Sequence, residues 1–512
     1  MSKNKLYRIG IIIFVLMFIL YKNIINIFSY KNSINMFHLG EKISSSTALI
    51  LFDKKPITEI FVLHGYFLEV LESTIAFKIF GFSLGSYLFF DTLLIVISYL
   101  LFLIILNKSL RNNAIFTLAI IFFIGTNLLF RIVNNFLFFI FILISTRILK
   151  RTNLNWIYCF FQSFLVFFNF IYAVEQAYYG LLSIFIFSFL FIFVVNKNSH
   201  NKIKLTYKLL SAYSLGFLLF ISTGLLILRP SGLIQYVSDL LFIPKLGYAL
   251  FSRNFPPFSL KYFYPYYLPF TIVLSNLLFI TYVFIKKKIK TITTYTFILI
   301  IGLFYFESIF ARADLNFIFY DKNNINFFMW PMFLCSFIGL DHLMSINKRS
   351  YKNLLFLFLL IMQLAPFFIY KNFFIPNNLK SEQIFSFLSL PKYPDNFWIS
   401  NEQQKISEYI QSNTTSKDWL YVFDNESMYY YLTKRNNPTR YYIATFAQLA
   451  DSQNYVINQL KTFKPKYVIY NSNYWSNNLD DIPQKKRLYK INDWLLKNYQ
   501  HSIKIDSTTL LY

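Results

Sequence analysis

Long apolar segments recur along the first 370 residues of this chain, and they restrict its fold more than any other feature. A helix that crosses a bilayer needs about 20 mainly apolar residues. The sequence has eleven such segments, at residues 9–28, 86–106, 114–130, 134–149, 155–173, 178–195, 207–228, 266–285, 291–309, 325–345 and 353–370. This pattern predicts an all-α polytopic membrane protein with about eleven transmembrane helices. The first segment follows a basic N-terminus and lacks a small-residue cleavage site, which predicts a retained signal anchor.

The composition agrees with this class. Of the 512 residues, 56% are hydrophobic and only 14% are charged, whereas a soluble domain carries about 25% charged residues. The composition excludes disordered, collagen-like, coiled-coil and small disulfide-framework proteins. Cys159 and Cys335 both lie in apolar stretches, and we interpret them as core residues without a metal or redox role.

Basic residues concentrate in every second connection between the predicted spans. If the N-terminus is cytoplasmic, this alternation satisfies the positive-inside rule and, with an odd number of spans, leaves the C-terminus outside. The agreement requires residues 67–80 to lie in the membrane interface as an amphipathic helix, with Glu69 and Glu72 on its solvated face. The net charge of +25 then comes largely from cytoplasmic loops that face anionic lipid, and it does not imply nucleic-acid binding.

The acidic residues are distributed unevenly. Of the twelve in residues 1–370, all except Asp341 fall on the outer side of this topology. The positive-inside rule is nearly indifferent to Asp and Glu, so it does not account for the asymmetry. We therefore expect the polar chemistry of this protein on its outer face.

Residues 371–512 form a second predicted domain, after a transmembrane domain of residues 1–370. The long apolar runs end there, and Asn, Gln, Ser and Lys become frequent. Strand patterns at residues 419–423, 467–470 and 502–505 alternate with helical patterns at 401–412, 448–463 and 484–498. This alternation predicts a small extracytoplasmic α/β domain. The sequence of this domain shows no Gly-rich phosphate loop, no metal-spaced Cys or His cluster and no Ser nucleophile elbow. We therefore interpret the domain as a lid or an acceptor-binding module.

The first outer loop, residues 29–85, is the longest outer connection of the transmembrane domain. Its motifs are His38-Leu-Gly-Glu41, His64-Gly-Tyr-Phe-Leu-Glu69 and Ala76-Phe-Lys-Ile-Phe-Gly81. In order and spacing the loop resembles the first periplasmic loop of the GT-C glycosyltransferases. The closest resemblance is to the bacterial branch related to protein O-mannosyltransferases (glycosyltransferase family 39-like) and to aminoarabinose and lipopolysaccharide-core sugar transferases. That family's architecture of about eleven to thirteen helices, a large first outer loop and a small C-terminal outer domain is similar to the fold expected here.

The resemblance implies an inverting glycosyltransferase of the inner (plasma) membrane, with its active site outside. Its donor would be a sugar linked to a polyprenyl phosphate, and its acceptor a glycan, a lipid or a protein. The family loop usually carries an Asp-Glu pair, whereas this chain reads Gly40-Glu41. The resemblance therefore implies Glu41 as the catalytic base, which accepts the proton of the attacking hydroxyl. Asp53 and Glu59 are reserve candidates.

Two histidines of the loop are candidate substrate-binding residues. His38 and Glu41 are three residues apart and share a face if the segment is helical, so a surface pair or a cap is the alternative for them. His64 could instead lie in a turn that opens the helix of residues 67–80. One His and one carboxylate make a weak metal signal, because a site built by protein usually needs three or more ligands. No metal ligand is therefore predicted, and the need for a divalent metal ion stays open.

Three further candidate substrate-binding residues lie outside this loop. Glu175 lies in a very short connection between two spans, where an acid near hydrocarbon is costly and often functional. Arg312 precedes Asp314 by two residues, and a planar guanidinium matches phosphate oxygens in a bidentate manner. The Arg-x-Asp pair also resembles a feature of the family branch. A local salt bridge is the alternative for these two.

A polytopic transporter, or a flippase or polymerase for lipid-linked glycans, is the second class of function. A transporter should show polar residues near the middle of several spans and broken helices in matching halves. Here the acids collect at one face, and no internal repeat is visible in the sequence. A polymerase is expected to have its large outer loop late in the chain. Glycosyl transfer is the preferred prediction.

Overall fold

The computed structural model describes residues 3–125, 132–149, 155–196, 202–251, 272–274, 276–277, 296–303, 330–346 and 387–512. The chain divides into two compact units, each built from separate segments. The first comprises Met1–Leu20, Leu94–Ser222 and Ser252–Asn377, and the second comprises Tyr21–Leu93, Thr223–Phe251 and Asn378–Tyr512. The predicted domain boundary after residue 370 lies outside the described residues, so it stays a prediction.

Helices dominate the described residues up to 346. They are α1 (Lys3–Ser29), α2 (His38–Leu51), α3 (Glu72–Phe80), α4 (Leu84–Ser109), α5 (Asn113–Gly125), α6 (Phe136–Leu149), α7 (Trp156–Tyr172), α8 (Val174–Phe189), α9 (Lys202–Phe251) and α10 (Trp330–Ile346). A π-helical turn, Phe67–Leu71, leads directly into α3.

Five stretches among the described residues are long and apolar enough to cross a membrane. They are Lys3–Ser29, Leu84–Ser109, Ile132–Leu149, Val174–Val194 and Lys202–Ile243. Two shorter apolar helices are Asn113–Gly125 and Trp156–Tyr172. Each of these helices coincides with a predicted span. The total of eleven spans and the orientation stay predictions.

Two polar side chains satisfy helix ends in the first unit. The carboxylate of Asp341 accepts hydrogen bonds from the backbone N–H groups of Arg111 (3.0 Å) and Asn112 (2.7 Å), just before α5. The guanidinium of Arg8 donates to the carbonyls of Leu110 (2.7 Å) and Arg111 (2.5 Å), just after α4. Helix ends leave such backbone groups without partners inside the helix. Asp341, the one acid of residues 1–370 that the predicted topology puts on the cytoplasmic side, thus has a structural role.

Helix α9 is broken at Arg229, where φ is 60° and ψ is 168°. The next residue is Pro230, whose ring disfavours the helical conformation in the residue before it. Beyond the break, Asp239 forms an ion pair with Arg440, and the ring of Phe242 lies 6.1 Å from that of Phe61. The end of α9 is therefore part of the second unit.

A four-stranded sheet lies at the centre of residues 387–512. Its strands β1 (Leu420–Val422), β2 (Tyr467–Asn471), β3 (Ser502–Ile505) and β4 (Thr508–Leu511) have the order β1-β2-β4-β3. Strands β1 and β2 are parallel, and the other two pairs are antiparallel. The helices are α11 (Asn401–Asn413), α12 (Met428–Thr433), α13 (Ala450–Phe463), α14 (Gln484–Arg487) and α15 (Tyr489–Asn498). The three predicted strands and the predicted helices coincide with these elements, whereas β4 and α12 are additional.

One hydrophobic core joins this sheet to the first outer loop. It contains Val468 and Leu511 of the sheet and Leu460 of α13, together with Phe37 and Phe61 of the loop. Burial of apolar surface is the main favourable contribution to folding. The loop and the C-terminal residues therefore stabilise each other within the second unit.

Candidate functional site

Helix α2 places Glu41 in its first turn, where the side chain is only 6% exposed. The helix begins at His38, and the side chain of Asn35 accepts hydrogen bonds from the N–H groups of Phe37 (3.1 Å) and His38 (2.9 Å). A carboxylate in the first turn is favoured by the positive end of the helix dipole. The local sequence thus fixes Glu41 at a helix N-terminus inside the second unit.

A second carboxylate, Glu69, comes from the π-helical turn that precedes α3. It is 2% exposed, and it accepts hydrogen bonds from the backbone N–H groups of Leu63 (3.0 and 3.2 Å) and His64. Gly65 follows with φ of 136°, a conformation that glycine adopts readily because it lacks a Cβ. Single π-helical turns occur frequently at functional sites. The backbone of the loop thus holds the Glu69 carboxylate in place.

Glu41, His64 and Glu69 come together in the structure. One side-chain N or O atom of each lies within 4.8 Å of the corresponding atoms of the other two. Burial raises the pKa of Glu69 to about 8, and the neighbouring Glu41 carboxylate acts in the same direction, whereas His64 and the backbone N–H groups lower that pKa. At neutral pH the carboxyl of Glu69 therefore retains its proton.

Glu72 is also buried, and its ion-pair partner comes from α2. The Nζ atom of Lys42 lies 3.2 Å from the Glu72 carboxylate. The relative exposure of Glu72 is 0%. Burial raises the pKa of Glu72 to about 8, although Lys42 lowers it. The prediction that Glu69 and Glu72 lie on a solvated helix face is therefore wrong. The physical reason is that the π-helical turn and α3 pack against α2.

The C-terminal residues cover the start of α2. The N–H of Met428 donates to the carbonyl of Met36 (3.3 Å), and the hydroxyl of Ser44 donates to the carbonyl of Ser427. A Cβ added at Gly40 would lie 2.6 Å from both the backbone N of Met428 and the Oγ of Ser427. The predicted resemblance implies an Asp at the position of Gly40. In this protein the C-terminal residues fill the space that such a side chain would need.

The other predicted site residues lie elsewhere. His38 is exposed, and its ring lies 5.7 Å from that of Trp475. Glu175 is half-buried in the first turn of α8, in the first unit. Arg312 and Asp314 lie outside the described residues, so their roles stay predictions.

One of the two reserve candidates, Glu59, has local structural contacts. The carboxylate of Glu59 lies 3.6 Å from the Nζ of Lys54 and accepts a hydrogen bond from the N–H of Lys55 (2.8 Å). Asp53, with φ of 50°, lies in the turn that follows α2. The contacts of Glu59 account for that residue without a catalytic role.

Comparison of the sequence with models of known protein families and with curated proteins gives no match. The resemblance to GT-C glycosyltransferases therefore stays a prediction from the first outer loop.

Proposed function

We propose that this protein is an inverting glycosyltransferase of the inner (plasma) membrane, with its active site on the outer side. It transfers a sugar from a polyprenyl-phosphate-linked donor to an extracytoplasmic glycan, lipid or protein. The observation that carries the proposal is the cluster of Glu41, His64 and Glu69, whose two carboxyl groups are buried. The cluster lies in the loop that joins two long apolar helices, α1 and α4. A lipid-linked donor dissolved in the bilayer presents its sugar at such a loop.

The proposed reaction requires one general base. The acceptor hydroxyl oxygen attacks the anomeric carbon from the side opposite the phosphate, and a new C–O bond forms as the bond to the phosphate oxygen breaks. The electron pair of that bond leaves with the polyprenyl phosphate, and the hydroxyl proton passes to Glu41. The configuration at the anomeric carbon is inverted. The phosphate departs already ionised, so it needs a cationic partner and no proton.

The neighbouring groups support this role. Because Glu69 retains a proton at neutral pH, it does not compete with Glu41 for the proton of the acceptor. We assign the orientation of the acceptor hydroxyl to His64, which lies beside both carboxyl groups. We assign the departing phosphate to Arg312, whose guanidinium can bind two of its oxygens. His38, Glu175 and Asp314 are the remaining proposed substrate contacts.

The test uses purified full-length protein and a panel of synthetic polyprenyl-phosphate sugars. Release of polyprenyl phosphate and transfer of labelled sugar to membrane acceptors are measured together. Because general-base catalysis contributes about 10²- to 10⁴-fold, Glu41→Gln should reduce transfer by about that factor. Glu59→Gln is the matched control, since this acid of the same loop is 43% exposed at its side chain. Full transfer by Glu41→Gln would contradict the proposed mechanism.

One observation favours a transporter or flippase as the alternative. Helix α9 is broken at Arg229, and transporters use broken helices to line substrate sites. In this protein, however, the segment beyond the break contacts the loop and the C-terminal residues through Phe242 and Asp239. Movement of a labelled donor from one membrane leaflet to the other, with its sugar-phosphate bond intact, would support the alternative.

A further inference from the structure

We infer that Glu41, His64 and Glu69 form a binding site for one divalent metal ion of the type of Zn²⁺ or Mn²⁺. The site lies within the second unit, and its ligands come from three segments: the first turn of α2, the turn before Gly65, and the π-helical turn. The inference goes beyond the proposed sugar transfer, because it concerns what the cluster binds before any substrate arrives.

The geometry of the cluster is close to that of a metal site. Ligand atoms that each lie about 2.0–2.2 Å from one ion in a tetrahedral site are about 3.3–3.6 Å apart. In the structure the atoms of the three side chains lie within 4.8 Å of one another. Closing this difference of roughly 1–2 Å falls to the side chains of Glu41 and His64, because hydrogen bonds from the backbone hold the carboxylate of Glu69.

The chemical character of the ligands supports the same conclusion. One imidazole nitrogen and two carboxylate oxygens make a mixed N and O donor set that suits Zn²⁺ and Mn²⁺ better than a thiolate-selective ion. Three protein ligands leave a coordination position open for water or a substrate oxygen. Two buried carboxyl groups cannot both carry their negative charge away from water without a partner, and a divalent cation that displaces the Glu69 proton would offset both charges.

The contacts around Glu69 orient it for this purpose. Its carboxylate accepts the N–H groups of Leu63 and His64, and a carboxylate has about four acceptor positions. Positions therefore remain for an ion after these hydrogen bonds are made. Hydrogen bonds that hold a ligating carboxylate are a general feature of metal sites. Here the same backbone turn holds two of the three ligands in register.

The test measures metal binding directly on the full-length protein in detergent, after chelation and dialysis. Wild-type protein is incubated with Zn²⁺ or Mn²⁺, washed, and its metal content is determined by mass spectrometry of the elements. We expect about one ion per chain and a higher unfolding temperature with metal, as for any ligand that binds the folded state. Glu69→Gln and His64→Ala should each weaken binding at least about tenfold.

Two variants of the same loop are matched controls. Glu59→Gln and His38→Ala remove an acid and an imidazole outside the cluster, and both should bind metal as the wild type does. Equal binding by wild type, Glu69→Gln and His64→Ala would overturn the inference, as would no stoichiometric binding by wild type. If the cluster variants do not fold, wild-type protein loaded with Co²⁺ gives the answer. Visible absorption bands of a coordinated ion support the site, and the spectrum of hydrated Co²⁺ overturns it.

This readout does not depend on turnover. A protein that binds no metal but loses transfer in Glu41→Gln would retain the proposed general base and lose the metal site. A protein that binds metal through these residues but shows no sugar transfer would retain the metal site and lose the proposed function.

Discussion

The close approach of C-terminal residues to Gly40 allows a quantitative test. In a helix, Gly→Ala alone stabilises by about 1 kcal/mol. At Gly40, however, the new Cβ would lie 2.6 Å from Met428 and Ser427 atoms, and such overpacking costs about 1–3 kcal/mol. Displacement of Met428 also breaks its hydrogen bond to Met36, which contributes about 1 kcal/mol. We expect Gly40→Ala to lower the free energy of unfolding by about 1–3 kcal/mol.

Thermal unfolding of the full-length protein in detergent measures this effect. Tryptophan fluorescence is a suitable signal, because four of the six tryptophans lie in residues 387–512. Hydrogen exchange at the Met428 amide reports the local contact. Gly10→Ala in α1 is the matched control, since a Cβ at Gly10 meets nothing within 4 Å. This control should be neutral or stabilised by up to about 1 kcal/mol.

The opposite result is equally informative. If Gly40→Ala unfolds at the same or a higher temperature than wild type and Met428 stays protected, the C-terminal residues do not cover α2. Gly40→Asp, which introduces the acid pair that the predicted resemblance implies, should destabilise more than Gly40→Ala because its side chain is larger.

Burial raises the pKa of Glu426 from 4.5 to about 7. Between these pH values the folded state keeps a proton that the unfolded state has lost, so the free energy of unfolding should fall as the pH rises from about 4.5 to 7. Glu426→Gln should remove this contribution while those of Glu69 and Glu72 remain, and should raise the free energy of unfolding above that of wild type by up to about 3 kcal/mol at pH 8, with no gain at pH 4. Arg440→Leu leaves Asp239 buried without its ion-pair partner and should cost about 3–5 kcal/mol, which a second change, Asp239→Leu, should partly recover in a double-mutant cycle measured by urea unfolding. Asp341→Ala removes the acceptor for two N–H groups before α5. It should lower the free energy of unfolding, measured by urea unfolding, by about 1–2 kcal/mol, and Asp341→Asn should be closer to wild type.

Much of the C-terminal fold could be predicted because its signals are local. Helix α11 starts at a capping box of Ser400 and Gln403, which a single sequence displays. Strand β4 was missed because it follows β3 after only two residues, Asp506 and Ser507. Asp506 has φ of 49°, and this turn lacks the Asn-Gly or Asp-Gly signal of a tight hairpin.

The site was less predictable because its contacts join distant residues. The apolar pattern around Glu69 indicates an amphipathic helix, and nothing periodic shows that the backbone of Leu63 and His64 binds its carboxylate. The one available signal for the site was Gly65, which lies between His64 and Glu69 in the sequence. The steric role of Gly40 depends on Ser427 and Met428, so no local pattern could indicate it.

The shared core of the first outer loop and the sheet has a consequence for biosynthesis. Ser44 and Ser427, which are hydrogen-bonded, are 383 positions apart in the chain. When α2 leaves the ribosome, β2 and β4 have not yet been synthesised, so Phe37 and Phe61 lack most of the core that shields them from water. The loop has to remain incomplete while hundreds of residues are translated and inserted. A truncation that removes β4 would thus impair a site whose ligands all lie within the first 70 residues.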